Sequence, residues 1–128
     1  MTERAEDAVR AYYDRLRNDD PLADAFREGE RTVKFGITES LFGSEAVRAA
    51  LREQRETTAD WHVESHDLRV EEYDDLARFA DEVTMAWTDR EGGARRRYDS
   101  RWSGVVERID GEWLFVTMHV SAPPEDDG

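Results

Sequence analysis

The chain has 128 residues, a length that fits one domain with its own hydrophobic core. It contains no cysteine, which excludes disulfides, thiolate metal sites and a cysteine nucleophile. Its 31 acidic residues against 18 basic ones give a formal net charge of −13, which argues against nucleic acids and anionic membranes as partners.

The first predicted element is a helix. Apolar residues recur at helical spacing between Ala5 and Leu16, with Thr2 as the N-cap and an end near Asn18. An Asp-Pro pair then predicts a short second helix within residues 20–29, because proline is favoured at the first helical position.

A strand is predicted at 31–37, and a third helix at 45–55 with Ser44 as its N-cap. From there the hydrophobic pattern alternates, which predicts strands at 60–72, 76–88, 95–108 and 112–121. The dipeptide Asp110-Gly111 between the last two is a strong hairpin signal. Helices followed by strands predict an α+β fold, with three N-terminal helices packed on a curved, mainly antiparallel sheet.

This order of elements resembles the SnoaL-like branch of the nuclear transport factor 2-like superfamily. The segments that carry the resemblance are 42–47, 101–105 and 110–121. The resemblance implies a single SnoaL-like domain over 1–124, a disordered acidic tail at 125–128, a cone-shaped fold, a homodimer, and a pocket between the sheet and the helices. Relatives of this fold include isomerases, hydratases and cyclases, so fold alone does not choose the function.

His119 is the best candidate for a general acid or base, because imidazole exchanges protons near neutral pH. Alternation places it on one face of the last strand with Trp113, Phe115, Thr117 and Ser121. That face lines either the pocket or the dimer interface. A hydrogen-bonded structural histidine is the alternative.

Arg101 lies in the middle of a strand, where an inward side chain would be a buried cation that needs an acidic partner or an anionic ligand. Asp81 on the neighbouring strand is the candidate partner, and two exposed side chains are the alternative. The resemblance to steroid isomerases of this superfamily implies a tyrosine on the first helix, and Tyr13 matches it. Those enzymes also have an aspartate that acts as the base, but this chain has Phe35 at that position. Glu39 or Asp81 would then have to supply the base.

The aromatic residues suggest ligand contacts. The four tryptophans, Trp61, Trp87, Trp102 and Trp113, lie on four predicted strands. Rings that line a cone stack against an apolar or aromatic ligand, and core packing or a dimer interface is the alternative. The predicted ligand-binding residues are Tyr13, Trp61, Trp87, Trp102, Phe115 and Ser121. Of the two adjacent tyrosines, Tyr12 is predicted in the core and Tyr13 at the pocket rim.

His62, Glu64 and His66 alternate along one predicted strand and offer ligands suited to zinc or iron. No partner strand supplies another histidine nearby, so a solvated polar face is preferred. Neither a metal nor a cofactor is expected.

The sequence therefore predicts a homodimer that binds a small, partly apolar molecule and has no assigned reaction. The alternative is a cofactor-independent isomerase, hydratase or cyclase, in which His119 moves the proton and Arg101 with Tyr13 or Ser121 stabilises an oxyanion. No apolar leader or spanning segment is evident, so a soluble cytoplasmic protein is expected. An acidic chain with Lys34 as its only lysine also resembles proteins of halophiles, with an acidic mesophilic protein as the alternative.

Overall fold

The computed structural model describes residues 3–124, so Thr2 and the predicted tail at 125–128 lie outside the described residues. The elements in chain order are α1 (Ala5–Arg17), a 3-10 turn (Ala23–Ala25), β1 (Val33–Phe35), β2 (Ser40–Phe42), α2 (Ser44–Thr57), β3 (Thr58–Ser65), β4 (Arg69–Tyr73), β5 (Leu76–Asp89), β6 (Arg95–Ile109) and β7 (Glu112–Ser121). Neither helix is long and apolar enough to cross a bilayer within this range.

The strands form one sheet in the order β2-β1-β7-β6-β5-β3, and β4 pairs with β5 beside β3. All pairs are antiparallel except β1 with β7. The predicted strand at 60–72 is interrupted, because β3 pairs with the second half of β5 and β4 with the first half. The two helices cover one face of this sheet, here called the inner face, and the opposite one is called the outer face.

The α+β fold is confirmed, but the prediction of three N-terminal helices is wrong. The described chain has two α-helices, and the predicted short helix is only the 3-10 turn Ala23–Ala25. The turn ends at Phe26 because that residue forms a parallel bridge with Phe115 of β7. The neighbouring Arg27 N–H donates to the Phe115 carbonyl at 2.9 Å, so the backbone leaves the helical path to join the sheet.

Helix α2 begins one residue earlier than predicted. Its N-cap is Gly43, whose φ of 91° favours glycine, and Ser44 is the first helical residue. The Ser44 hydroxyl instead accepts a hydrogen bond from the Gly29 N–H at 2.9 Å, which ties the start of α2 to the loop before β1.

The core lies between the helices and the inner face. Helix α1 contributes Ala5, Val9, Tyr12, Tyr13 and Leu16, and α2 contributes Val47 and Leu51. The sheet contributes the buried side chains of Phe79, Val83, Trp102, Val106, Phe115 and Met118. Two amphipathic helices thus shield one apolar face of the sheet, which is the general requirement of a two-layer domain.

Strand β7 contains a β-bulge at Val116. Val105 of β6 pairs with Thr117, and the next residue, Val106, pairs with Phe115. Val116 is therefore the extra residue, and the side chains beyond it exchange faces.

This bulge overturns the prediction that Trp113, Phe115 and His119 share one face. Trp113 and Phe115 are buried on the inner face before the bulge, and Met118 and Val120 are buried there after it. His119 is exposed on the outer face, together with the other alternate residues of the strand's second half.

Candidate functional site

A cavity of about 350 Å³ lies between the inner face and the two helices. The buried residues that line its base are Tyr12, Leu16, Lys34, Thr58, Met85, Trp102 and Val120. Less buried residues border its outer part, among them Ile37, Thr38, Glu39, Ala50, Glu53, Gln54, Trp61 and Trp87. The base is mainly apolar, and the chain's only lysine lies within it.

Lys34 points inward because it is the central residue of β1, between the outward Val33 and Phe35. Its side chain is only 8% exposed, and its Nζ donates to Glu39 Oε1 at 3.1 Å. A buried ammonium needs such an acceptor, because its desolvation costs several kcal/mol if it is unpaired.

Glu39 reaches Lys34 from the turn between β1 and β2. The turn is closed by a hydrogen bond from the Gly36 N–H to the Glu39 carbonyl at 2.9 Å. The Glu39 side chain then passes over Gly36, where an added Cβ would lie 2.8 Å from Glu39 Cγ. A glycine at position 36 therefore lets the carboxylate cross to the buried amine.

Tyr12 supplies a second polar group at the base of the cavity. Burial raises the pKa of its phenol well above the ordinary value, and the negative charge of Glu39 adds to the effect. Its hydroxyl has no hydrogen-bond partner within residues 3–124. The ring packs edge-on against Trp102 and Phe115, so the group is held rigidly as a neutral donor.

Tryptophans form the flat walls of the cavity. Trp61 and Trp87 stack with their centroids 4.7 Å apart, and Tyr98 extends the stack at 5.5 Å from Trp87. The Trp61 Nε1–H donates to Thr58 Oγ1 at 2.8 Å, which fixes the ring. Trp102 closes the base, so planar apolar groups would meet aromatic surface on more than one side.

The structure brings two of the three residues predicted as catalytic together, because Arg101 and His119 border one shallow depression of the outer face with Ser121. Asp81 also borders that depression, but its side chain is directed to the inner face. Cross-strand partners share a face, and Arg101 pairs with Glu82 whereas Asp81 pairs with Trp102. Arg101 is therefore exposed on the outer face and Asp81 is buried on the inner one, so the predicted pairing of an inward Arg101 with Asp81 is wrong. His119 lies outside as well, with its ring 5.7 Å from that of Phe35.

Asp81 is held by neutral donors instead. Its Oδ2 accepts from the Tyr13 hydroxyl at 2.9 Å and from Ser65 Oγ at 2.6 Å, and its Oδ1 accepts from the Asp67 N–H at 2.9 Å. Burial and the adjacent carboxylate raise the pKa of Tyr13 far above its usual range. Tyr13 is thus engaged with Asp81, and it is Tyr12, predicted only as core, that faces the cavity.

The structure also divides the predicted ligand-binding residues, between the cavity, the core and the outer face. Trp61, Trp87 and Trp102 line the cavity. Phe115 is buried in the core beneath Tyr12. Ser121 lies after the bulge in β7, so its side chain is directed to the outer face like that of His119. It borders a shallow depression there.

The candidate metal ligands do not converge. His62 Nε2 lies 3.6 Å from Glu64 Oε2, but His66 is hydrogen-bonded to Thr84 Oγ1 at 2.7 Å. No group of three metal-ligating side chains occurs in the part of the chain that the structure describes.

Sequence reasoning missed Lys34 and gave Glu39 only as a displaced base. Alternation does place Lys34 opposite Val33 and Phe35. The apolar side of a strand is ordinarily taken as the buried side, and here it is the outer one. The alternation of β1 therefore separates Lys34 from Val33 and Phe35, but β1 alone does not show which of its two sides is buried.

A curved sheet that holds a cavity beneath two helices defines a protein of the nuclear transport factor 2-like fold. A nuclear transport factor 2-like superfamily protein from Salmonella enterica serovar Typhimurium aligns with a TM-score of 0.80 at 17% identity, over 93% of this chain and 88% of that one. A candidate dehydratase of the same family from Streptomyces avermitilis aligns with a TM-score of 0.82 at 14% identity, over 94% of both chains. A ketosteroid isomerase-like protein from Erwinia carotovora atroseptica gives 0.75 at 16%, again over 94% of both.

These identities establish the fold alone. The chain belongs to the SnoaL-like domain family, whose pattern matches residues 5–125. No curated protein matches the sequence.

Proposed function

We propose that this SnoaL-like protein binds a small, partly apolar molecule in its inner cavity. The observation that carries the proposal is the combination of tryptophan walls with one buried amine, Lys34, which is paired with the half-exposed Glu39. Ligand pockets typically join apolar and aromatic linings to a few fixed polar groups, in volumes of about 300–1,000 Å³. The base of the cavity has this composition, its outer part is more polar, and its volume is about 350 Å³.

A cavity-filling variant with a matched control tests the proposal. Ala50 lines the cavity from α2, whereas the adjacent Ala49 is exposed. The probes are 2-naphthamide and 2-naphthoate, measured by titration calorimetry. The wild type and Ala49→Phe should bind at least one probe, and Ala50→Phe should bind it about tenfold more weakly or not at all. Equal affinity in Ala50→Phe would place the bound probe elsewhere and refute the cavity assignment.

Cofactor-independent catalysis is the second candidate function, and one observation favours it. The Glu39 carboxylate and the Tyr12 hydroxyl border the same cavity, so a base and a neutral donor face one ligand. The version that uses His119 would operate outside this cavity, because His119, Arg101 and Ser121 border a separate depression of the outer face.

Proton transfer can be followed by deuterium uptake from solvent into 2-tetralone, a bicyclic ketone with acidic C–H groups. A catalyst would accelerate uptake in the wild type, and Glu39→Gln would lose the acceleration while keeping the fold. Uptake at the buffer rate would end the catalytic candidate and leave binding as the function.

We also propose that two copies associate through the outer face. Phe42 is 67% exposed there, and its ring lies 5.6 Å from that of Phe35, which in turn contacts His119. Exposed aromatic surface of this kind often marks an association site. Light scattering should give a dimeric mass for the wild type and a monomeric mass for Phe42→Glu, and a monomeric wild type would refute the proposal.

A further inference from the structure

We infer that the cavity is selective for a planar, apolar monocarboxylate, and that Glu39 occupies the position of the ligand's carboxylate on Lys34 in the free protein. The inference rests on the binding function proposed above and specifies its ligand class.

Lys34 has unused hydrogen-bonding capacity inside the cavity. An ammonium group has three N–H donors, and Glu39 Oε1 is the only acceptor that it meets within the described residues. The side chain is 8% exposed, so bulk water has little access to the remaining donors. A group with two acceptor oxygens and a negative charge would satisfy this amine better than the single contact does.

Glu39 is suited to being displaced. Its side chain is 41% exposed, and its only hydrogen bond or ion pair within the described residues is the one to Lys34. The exposed carboxylate loses little on leaving Lys34, because water solvates it and a ligand carboxylate takes over the ion pair. A ligand carboxylate would therefore replace one carboxylate by another, and the buried amine would never be left without a counter-charge.

The charges around the cavity limit the ligand to one negative group. Lys34 is the only cationic side chain that lines it among residues 3–124, and the second acidic side chain, Glu53, borders its outer part. A second anionic group on the ligand would be repelled by Glu53, by Glu39 and by the net negative charge of the chain. The flat apolar part of the ligand would lie against Trp61, Trp87 and Trp102.

The test compares 2-naphthoate with its neutral counterpart 2-naphthamide on four proteins: wild type, Glu39→Gln, Glu53→Gln and Lys34→Met. Glu39→Gln and Glu53→Gln change the net charge equally, but only the first removes the competing carboxylate. Naphthoate affinity should rise about fivefold in Glu39→Gln, near the upper value for an exposed ion pair, and less than about twofold in Glu53→Gln. Lys34→Met should lose the preference for the acid over the amide.

A second measurement uses the wild-type protein and does not depend on the folding of a variant. Because the chain has one lysine, protein labelled with ¹³C-lysine gives a single side-chain Cε signal. Titration with naphthoate should shift that signal to saturation at the calorimetric affinity. Naphthamide, which cannot replace the carboxylate, should shift it far less.

Three outcomes distinguish the inference from the function on which it rests. Tighter acid binding in Glu39→Gln with a moving Cε signal supports both. Equal binding of acid and amide, or weaker acid binding in Glu39→Gln, overturns the monocarboxylate assignment but leaves the cavity as a binding site. Failure of both probes to bind the folded wild type overturns the binding function as well.

Discussion

Replacing Tyr13 by phenylalanine tests whether the buried Tyr13–Asp81 contact stabilises the domain. The hydroxyl donates to Asp81 Oδ2 at 2.9 Å, and both side chains are buried. Phenylalanine keeps the ring and its packing against Trp102. The substitution therefore removes one donor from a buried carboxylate and little else.

The magnitude follows from the partners that remain. Asp81 retains Ser65 Oγ at 2.6 Å and the Asp67 N–H at 2.9 Å, so it keeps two of its three donors. A hydrogen bond to a charged group contributes about 1.5–3 kcal/mol, and the loss should be about 2 kcal/mol of unfolding free energy at pH 7. For a domain of this size that corresponds to a fall in Tm of roughly 7 °C.

Tyr12→Phe is the matched control. It removes the same atom from the neighbouring, equally buried tyrosine, whose hydroxyl has no partner among residues 3–124. Urea unfolding followed by tryptophan fluorescence should show a change within about 0.5 kcal/mol for this variant.

A double-mutant cycle identifies the partner. In an Asp81→Asn background the further loss caused by Tyr13→Phe should shrink by about 1 kcal/mol or more, since the charged acceptor is already gone. If Tyr13→Phe proves no more destabilising than Tyr12→Phe, or if its effect is unchanged in that background, the network does not stabilise the domain as argued.

Three further predictions concern pH, salt and packing. Folding raises the pKa of both Tyr12 and Tyr13 above the unfolded value of about 10, so the folded state keeps two protons that the unfolded chain loses. The unfolding free energy should therefore fall by about 2.7 kcal/mol per pH unit above pH 10. A Tyr12→Phe/Tyr13→Phe double variant that keeps this slope would contradict the assignment. Screening by KCl should raise the urea midpoint, because the net charge is −13 and the Debye length shrinks to about 3 Å at 1 M; a midpoint that falls with salt would refute self-repulsion as the controlling term. Gly104→Ala should lose about 3 kcal/mol of unfolding free energy or fail to fold, because a Cβ there would lie 2.2 Å from the Thr117 carbonyl oxygen. A loss below about 1 kcal/mol in the same urea assay would show that the backbone of β7 shifts at little cost, which would contradict the prediction.

The long strands could be predicted because their sequence pattern and turns agree. Strand β7 runs from Glu112 to Ser121 as predicted, and the turn before it places both Asp110 and Gly111 at positive φ. The short elements could not be predicted in this way. The second helix is reduced to a turn by the bridge between Phe26 and Phe115, which joins residues far apart in the chain.

The candidate site was harder to predict because it depends on which face of each strand is inner. Val116 is a β-branched residue in a run of residues typical of strands, so nothing local marks the bulge. Its position coincides with the hydrogen bond from the Arg27 N–H to the Phe115 carbonyl, a tertiary contact. The tryptophans on β5 and β6 needed no such information, because no register shift interrupts the pairing of those two strands and alternation holds there.

The bulge also determines how the two faces can divide their roles. Without it, His119 and Ser121 would point inward, and Met118 and Val120 would be exposed. With it, the inner face remains apolar apart from a few groups, and a charge placed there acts in a nearly dry environment. In the binding function that we propose, Lys34 therefore supplies the one positive charge, among the described residues, that a ligand meets in the cavity. Every other side chain counted as basic is an arginine, whose planar group can bond both oxygens of a carboxylate, as Arg69 does with Asp67. The compact ammonium of Lys34 holds Glu39 through one bond, which leaves the partner exchangeable.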